Sequence, residues 1–86
     1  MPEVSRFFGI VVAMHYNDHP PPHVHAYYHD SMIQVSIASG ARHSGKFPAR
    51  AERLLMEWLS LHREELLMNW ELARHRRPLR RIDPLE

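Results

Sequence analysis

Cysteine is absent from this 86-residue chain. Its absence excludes disulfide scaffolds, thiolate zinc sites and cysteine nucleophiles. Long apolar runs are absent too. The longest, Phe7 to Met14, is too short to span a bilayer. The opening Met-Pro-Glu-Val has no charged segment followed by an apolar one, so no secretory signal is expected. Neither charge sign dominates: 11 Lys and Arg face 10 Asp and Glu, a net charge of +1 that selects no class of partner. The 44% hydrophobic and 24% charged content is that of an ordinary globular chain, which excludes full disorder. These features predict a soluble cytoplasmic protein without a membrane partner, forming a single domain over 1–86.

Histidine is what the chain has in excess, with 8 copies, most of them in one stretch. The basic charge is also concentrated. Residues 1–73 carry 6 Lys and Arg against 8 Asp and Glu, whereas residues 74–81 carry 5 arginines and no acid.

Residues 6–16 are β-branched, aromatic and apolar on both faces, which predicts a strand covered on both sides, with Gly9 marking a bulge or close approach. Asn17-Asp18-His19-Pro20-Pro21-Pro22 breaks the pattern and predicts a stiff extended lead-in. Residues 23–29 alternate with period two, placing Val24 and Ala26 on one face and His23, His25 and His29 on the other. Ile33, Val35 and Ile37 alternate in the same way. Asp30-Ser31 and Ser39-Gly40 predict turns, and residues 41–46 a short return strand.

Residues 49–76 lack Gly and Pro, and Pro48 suits a first helical position. Ala51, Leu55, Trp58, Leu59, His62, Leu66, Trp70 and Ala73 recur at helical spacing, and Leu54, Leu61, Met68 and Leu72 form a second apolar line. The first line can pack on a sheet. The second exceeds what a small sheet needs and predicts a homodimer or a partner on the apolar helix face. The expected fold is α+β: an antiparallel sheet of three to four strands over 6–46, one long helix over about 48–76, and an extended tail over 78–86.

The pattern His19-x3-His23-x-His25-x3-His29 is the main chemical signal. Strand spacing puts His23 and His25 on one face, roughly 7 Å apart. Neutral imidazoles suit divalent transition metals such as zinc or nickel, so His19, His23 and His25 are candidate ligands. His15 or His43 could complete such a set, and Asp18 or Asp30 could ligate or orient. The same residues suit acid–base chemistry. His23 and His25 could act as base and acid of a ribonuclease, with Arg42, Lys46 or the C-terminal arginines supplying positive charge. A plain alternative is a polar strand face whose histidines bond to backbone or water. Arg74, Arg76, Arg77, Arg80 and Arg81 could bind phosphate or nucleic acid. They could equally form a solvated helix end paired with Glu71 and Asp83.

The segment His19-Pro20-Pro21-Pro22-His23-Val24-His25 resembles the H-x-P-P-H-V-H signature of the bacterial domain-of-unknown-function family 4160. The likeness extends to Gly45-Lys46-Phe47-Pro48, similar to a G-x-L-P element with Phe47 for the usual Leu. It runs on through Trp58, Arg63, Glu64, Glu65, Leu66 and Trp70, similar to W-x4-R-x-E-L with a later aromatic, and through Ile82-Asp83-Pro84-Leu85, similar to an I-x-P-L tail. His15, His29 and His43 are additions to the family pattern. The resemblance implies a component of a toxin–antitoxin-like two-gene module, because members are often encoded beside the small family 2442. It therefore implies a cognate partner protein, and the residues themselves add a functional histidine cluster with ribonuclease-type activity one candidate. The alternative is a non-catalytic metal-binding or protein-interaction regulatory module.

Overall fold

A computed structural model describes residues 2–86. Strands β1 (Glu3–Phe7), β2 (Ile10–Ala13), β3 (His23–Tyr28), β4 (Ser31–Ser36) and β5 (Arg42–Lys46) precede helices α1 (Ala49–Leu61) and α2 (Arg63–Arg74). The strands form one antiparallel sheet in sequence order, a meander without crossovers. The α+β class is as expected, but the sheet has five strands rather than three to four, and the helix is two rather than one.

The extra strand comes from residues 6–16, which do not form one strand. Phe7 pairs with Ile10, and the two residues between them, Phe8 and Gly9, have φ values of 48° and 82°. Positive φ at both central positions is the mirror-image turn that suits the twist of a hairpin. The apolar run therefore folds back on itself. Phe8 is left exposed at the tip, while Phe7 and Ile10 are buried. A second two-residue turn, His29-Asp30, joins β3 to β4, with Tyr28 paired to Ser31.

One sheet face carries Ile10, Val12, Val24, Ala26, Ile33 and Val35, all fully buried. Ala51, Leu55, Trp58 and Leu59 of α1 and Leu66, Trp70 and Ala73 of α2 join the same core. Trp58 stacks on Phe7 with ring centroids 5.2 Å apart. A straight helix over 48–76 would run about 43 Å, longer than the molecule's 33 Å long axis. The chain meets this constraint at His62, whose φ of −120° ends α1 and starts α2. The His62 ring bonds Glu65 at 2.6 Å, and Arg63 Nε donates to the Ile37 carbonyl at 2.7 Å, which anchors the break to the sheet.

Arg76, with φ of 56°, stops α2 in a left-handed cap. The Arg76 N–H reaches the Ala73 carbonyl and the Arg77 N–H the Leu72 carbonyl, so the last turn's acceptors are satisfied. The tail beyond Pro78 then crosses back under the helices. Ile82 N–H donates to the Val4 carbonyl at 2.8 Å, and Trp58 Nε1 donates to the Asp83 carbonyl at 2.8 Å. The Asn69 amide, 1% exposed, donates to the Arg80 carbonyl and accepts from the Arg80 N–H. Glu3 receives Arg6 and Arg81, whose hydrogen bonds lower its pKa to about 2.

Gly45 lies in β5 opposite Ile33 with φ of 76°, and a Cβ there would overlap the Met32 carbonyl oxygen. Gly40 has a similar φ of 74°, but its Cβ would meet only Met56 Sδ at 3.6 Å. Gly40→Ala is expected to cost about 1–2 kcal/mol, the left-handed penalty alone. Gly45→Ala is expected to cost about 2–5 kcal/mol, the same penalty plus overpacking. Urea unfolding of the two variants checks this, and equal losses would refute the backbone clash.

Candidate metal centre

The residues between β2 and β3 are held at both ends. Met14 N–H donates to the Pro2 carbonyl, and Asn17, with φ of 53°, donates its N–H to the Ala73 carbonyl at the end of α2. At the far end Ile37 N–H donates to the Pro22 carbonyl. The Pro20–Pro21 bond is cis. The loop thus lies across the start of β3, where His23 and His25 share one strand face.

That face is not the open polar surface that alternation alone predicts. His23 is 7% exposed. Its ring packs against Trp70 of α2, with centroids 5.3 Å apart, and lies near the rings of His25 and His43. His25 also meets His15 from the loop, ring centroids 4.0 Å apart. Four imidazoles and one indole therefore meet at the end of the sheet where the loop and α2 converge.

Asp18 lies between the two strand histidines. Its Oδ2 is 3.0 Å from His23 Nε2 and 3.2 Å from His25 Nε2, while its Oδ1 accepts the His19 N–H at 2.8 Å. One ligand atom from each of Asp18, His23 and His25 lies within 4.8 Å of the others. A tetrahedral ion with bonds of about 2.0–2.1 Å holds its ligands roughly 3.4 Å apart, so the spacing observed needs little rearrangement to accept one.

The hydrogen bonds settle which nitrogen of His23 is free. Its Nδ1 is 2.8 Å from the Pro21 carbonyl. A carbonyl only accepts, so Nδ1 carries the proton and donates. In neutral His23 the Nε2 lone pair therefore points at Asp18 Oδ2, itself an acceptor. Two acceptors at 3.0 Å repel unless a proton or a cation lies between them. A ring N–H given to a backbone carbonyl is also the usual way a metal-bound histidine is oriented.

The electrostatics favour the ligating forms. Burial opposes ionisation of Asp18, but the His19 amide, the His25 hydrogen bond and the charges of His23 and His25 outweigh it and hold the carboxyl below its usual range. Burial pushes His25 below the ordinary imidazole range, and His15 and His23 add to this, against the Asp18 hydrogen bond.

The candidate ligand His19 does not join this group. It is exposed and lines a cleft of about 610 Å³ with Asn17, Asp18, Pro20, Trp70 and Arg74. The His19 amide bonds Asp18 Oδ1, and Asp18 rather than His19 stands with His23 and His25. His29 lies in the β3–β4 turn, ring to ring with Tyr28. The five arginines are all exposed. Arg74 pairs with Glu71 at 3.1 Å, and Arg81 pairs with Glu3 at 2.9 Å rather than with Asp83. Only Arg74 borders the cleft beside Asp18. Among the described residues, no helix is long and apolar enough to cross a membrane.

The profile described as a domain of unknown function, DUF4160, matches residues 9–71. The chain belongs to the DUF4160 family. No curated protein and no solved structure matches it. The matched DUF4160 segment contains Asp18, His23, His25 and Trp70, so all of the proposed ligands and their aromatic wall lie inside it. The arginines from Arg74 onward and the Ile82–Leu85 tail lie beyond it.

The two facing acceptors yield a test. Asp18→Asn keeps the shape and can offer an amide N–H to His23 Nε2. In metal-free protein at pH 8 this variant is expected to match or exceed the wild type by about 0.5–1.5 kcal/mol, one net hydrogen bond. Urea unfolding under chelator measures it. A clear loss of stability would show that the carboxylate is needed for folding alone.

Proposed function

We propose that this DUF4160 protein is a divalent transition-metal-binding regulatory module, with Asp18, His23 and His25 as ligands and zinc or nickel as the ion. The observation that carries the reading is the convergence of one Asp18 oxygen and one nitrogen each of His23 and His25 within 4.8 Å of one another, with the other His23 nitrogen at 2.8 Å from the Pro21 carbonyl. A cation between them would be bound by all three. Asp18 comes from the loop and the histidines from β3, so the ion would tie the loop to the sheet. The same loop forms one wall of the cleft against α2, which makes the cleft's shape depend on metal. Leu61 and Met68, 65% and 58% exposed on the helices, support docking of a second chain, whether another copy or the partner of a two-gene module.

A second reading is metal-free hydrolysis of phosphodiesters, as in a ribonuclease toxin. The Asp18–His25 contact beside Arg74 favours it, since an oriented neutral imidazole can act as a base near a cation that stabilises charge.

Untagged protein stripped with chelator and titrated with Zn²⁺ or Ni²⁺ in a calorimeter is expected to bind one ion per site. At about 100 times the dissociation constant the ion should add about 2.7 kcal/mol of stability. His23→Ala and His25→Ala should each weaken binding at least about a hundredfold, beyond the loss seen when only a ligand-orienting group is removed. Absence of both heat and stabilisation would sink the metal reading. RNA cleavage that survives chelation and disappears in His25→Ala would favour the second reading instead.

A further inference from the structure

His15 Nε2 is, with Ser5 Oγ, one of two side-chain polar atoms that are buried without a hydrogen-bond partner among the described residues. A buried nitrogen left unpaired costs about 1–3 kcal/mol, so its placement needs a reason. His15 follows β2 directly, in the loop that supplies Asp18. Its ring lies against His25, centroids 4.0 Å apart, on the strand that supplies His23.

We propose that His15 is a fourth protein ligand, closing the Asp18–His23–His25 site around the ion. This rests on the metal reading above and extends it. The three-ligand set would keep a position open for water or substrate, as catalytic zinc sites do. Addition of a third imidazole gives a His3Asp set with four protein donors, the number typical of structural zinc sites. Two ligands, His15 and Asp18, then come from one end of the loop and two from β3. The ion becomes a clasp between them. His15 has to move to reach the ion, because its nitrogen is not among the atoms already within 4.8 Å of one another. Its buried nitrogen has no competing bond to break.

Cobalt(II) reports coordination number directly, since four-coordinate sites absorb visible light far more strongly than sites completed by extra waters. Stripped wild-type protein titrated with Co²⁺ is expected to show the intense four-coordinate bands. His15→Ala and the more conservative His15→Asn should still bind, at least about tenfold more weakly, with bands reduced to those of a water-completed site. His29→Ala, in the distant turn, should keep wild-type affinity and bands. Circular dichroism of the stripped variants confirms that each is folded. If both His15 variants bind Co²⁺ with wild-type affinity and spectrum, His15 is no ligand and the three-residue site stands alone. If His15→Ala fails to fold, the same comparison is made with His15→Asn. If the folded wild type binds no Co²⁺, Zn²⁺ or Ni²⁺, the metal reading falls and the fourth ligand with it.

Discussion

A single carboxylate oxygen faces two imidazole nitrogens at the end of the sheet, and the loop, the first residues of β3 and the end of α2 are all arranged around it. Each neighbouring bond narrows what that oxygen can do. The Pro21 carbonyl takes the His23 Nδ1 proton, and the His19 amide takes the other Asp18 oxygen. Trp70 packs on His23 and limits its rotation. Asn17 bonds to the carbonyl of Ala73, so even the loop's approach to the helix is determined by backbone hydrogen bonding. The result is preorganised, and preorganisation lowers the cost of taking up a ligand.

The rest of the fold supplies the enclosure. A chain of this size has one thin core, and here the sheet spends one face on it. The bend at His62 lets Trp58 of α1 stack on Phe7 while Trp70 of α2 reaches His23. The tail then secures the helices from behind through Trp58 and Asn69.

Much of this was legible in the residues. Period-two alternation identified Val24, Ala26, Ile33 and Val35 as core, and helical spacing identified Leu55, Trp58, Leu66 and Trp70. The clustering of imidazoles followed from His23 and His25 sharing a strand face. What was not legible depends on contacts between distant segments. The Phe8-Gly9 turn lies inside a run that looks like one strand, because its signal is a single glycine after an aromatic residue rather than the usual Asn-Gly. The helix break has no Gly or Pro to announce it and arises from the size of the sheet beneath. Asn69 gives no local sign that it will bond the Arg80 backbone. The substitution of Asp18 for His19 turns on one residue: a tight loop aims neighbouring side chains in different directions, and no periodicity applies there.

The cost of the arrangement is itself informative. A sheet end built for stability alone would not gather four imidazoles beside one carboxylate and leave one buried ring nitrogen unpaired. Leucine or phenylalanine in these positions would satisfy the hydrophobic pattern without any of these penalties. Departures from local consistency of this kind are expected where a protein meets its ligand, because the ligand removes the conflict. The conflict here has a definite sign. Asp18 is held below the usual carboxylate range, His25 is pushed below the ordinary imidazole range by burial, and the His23 Nδ1 faces the Pro21 carbonyl, which leaves its Nε2 toward Asp18. On the proposed reading a small cation would be shared by the Asp18 oxygen and the histidine nitrogens, and such nitrogen donors suit transition metals better than calcium or magnesium, which prefer oxygen.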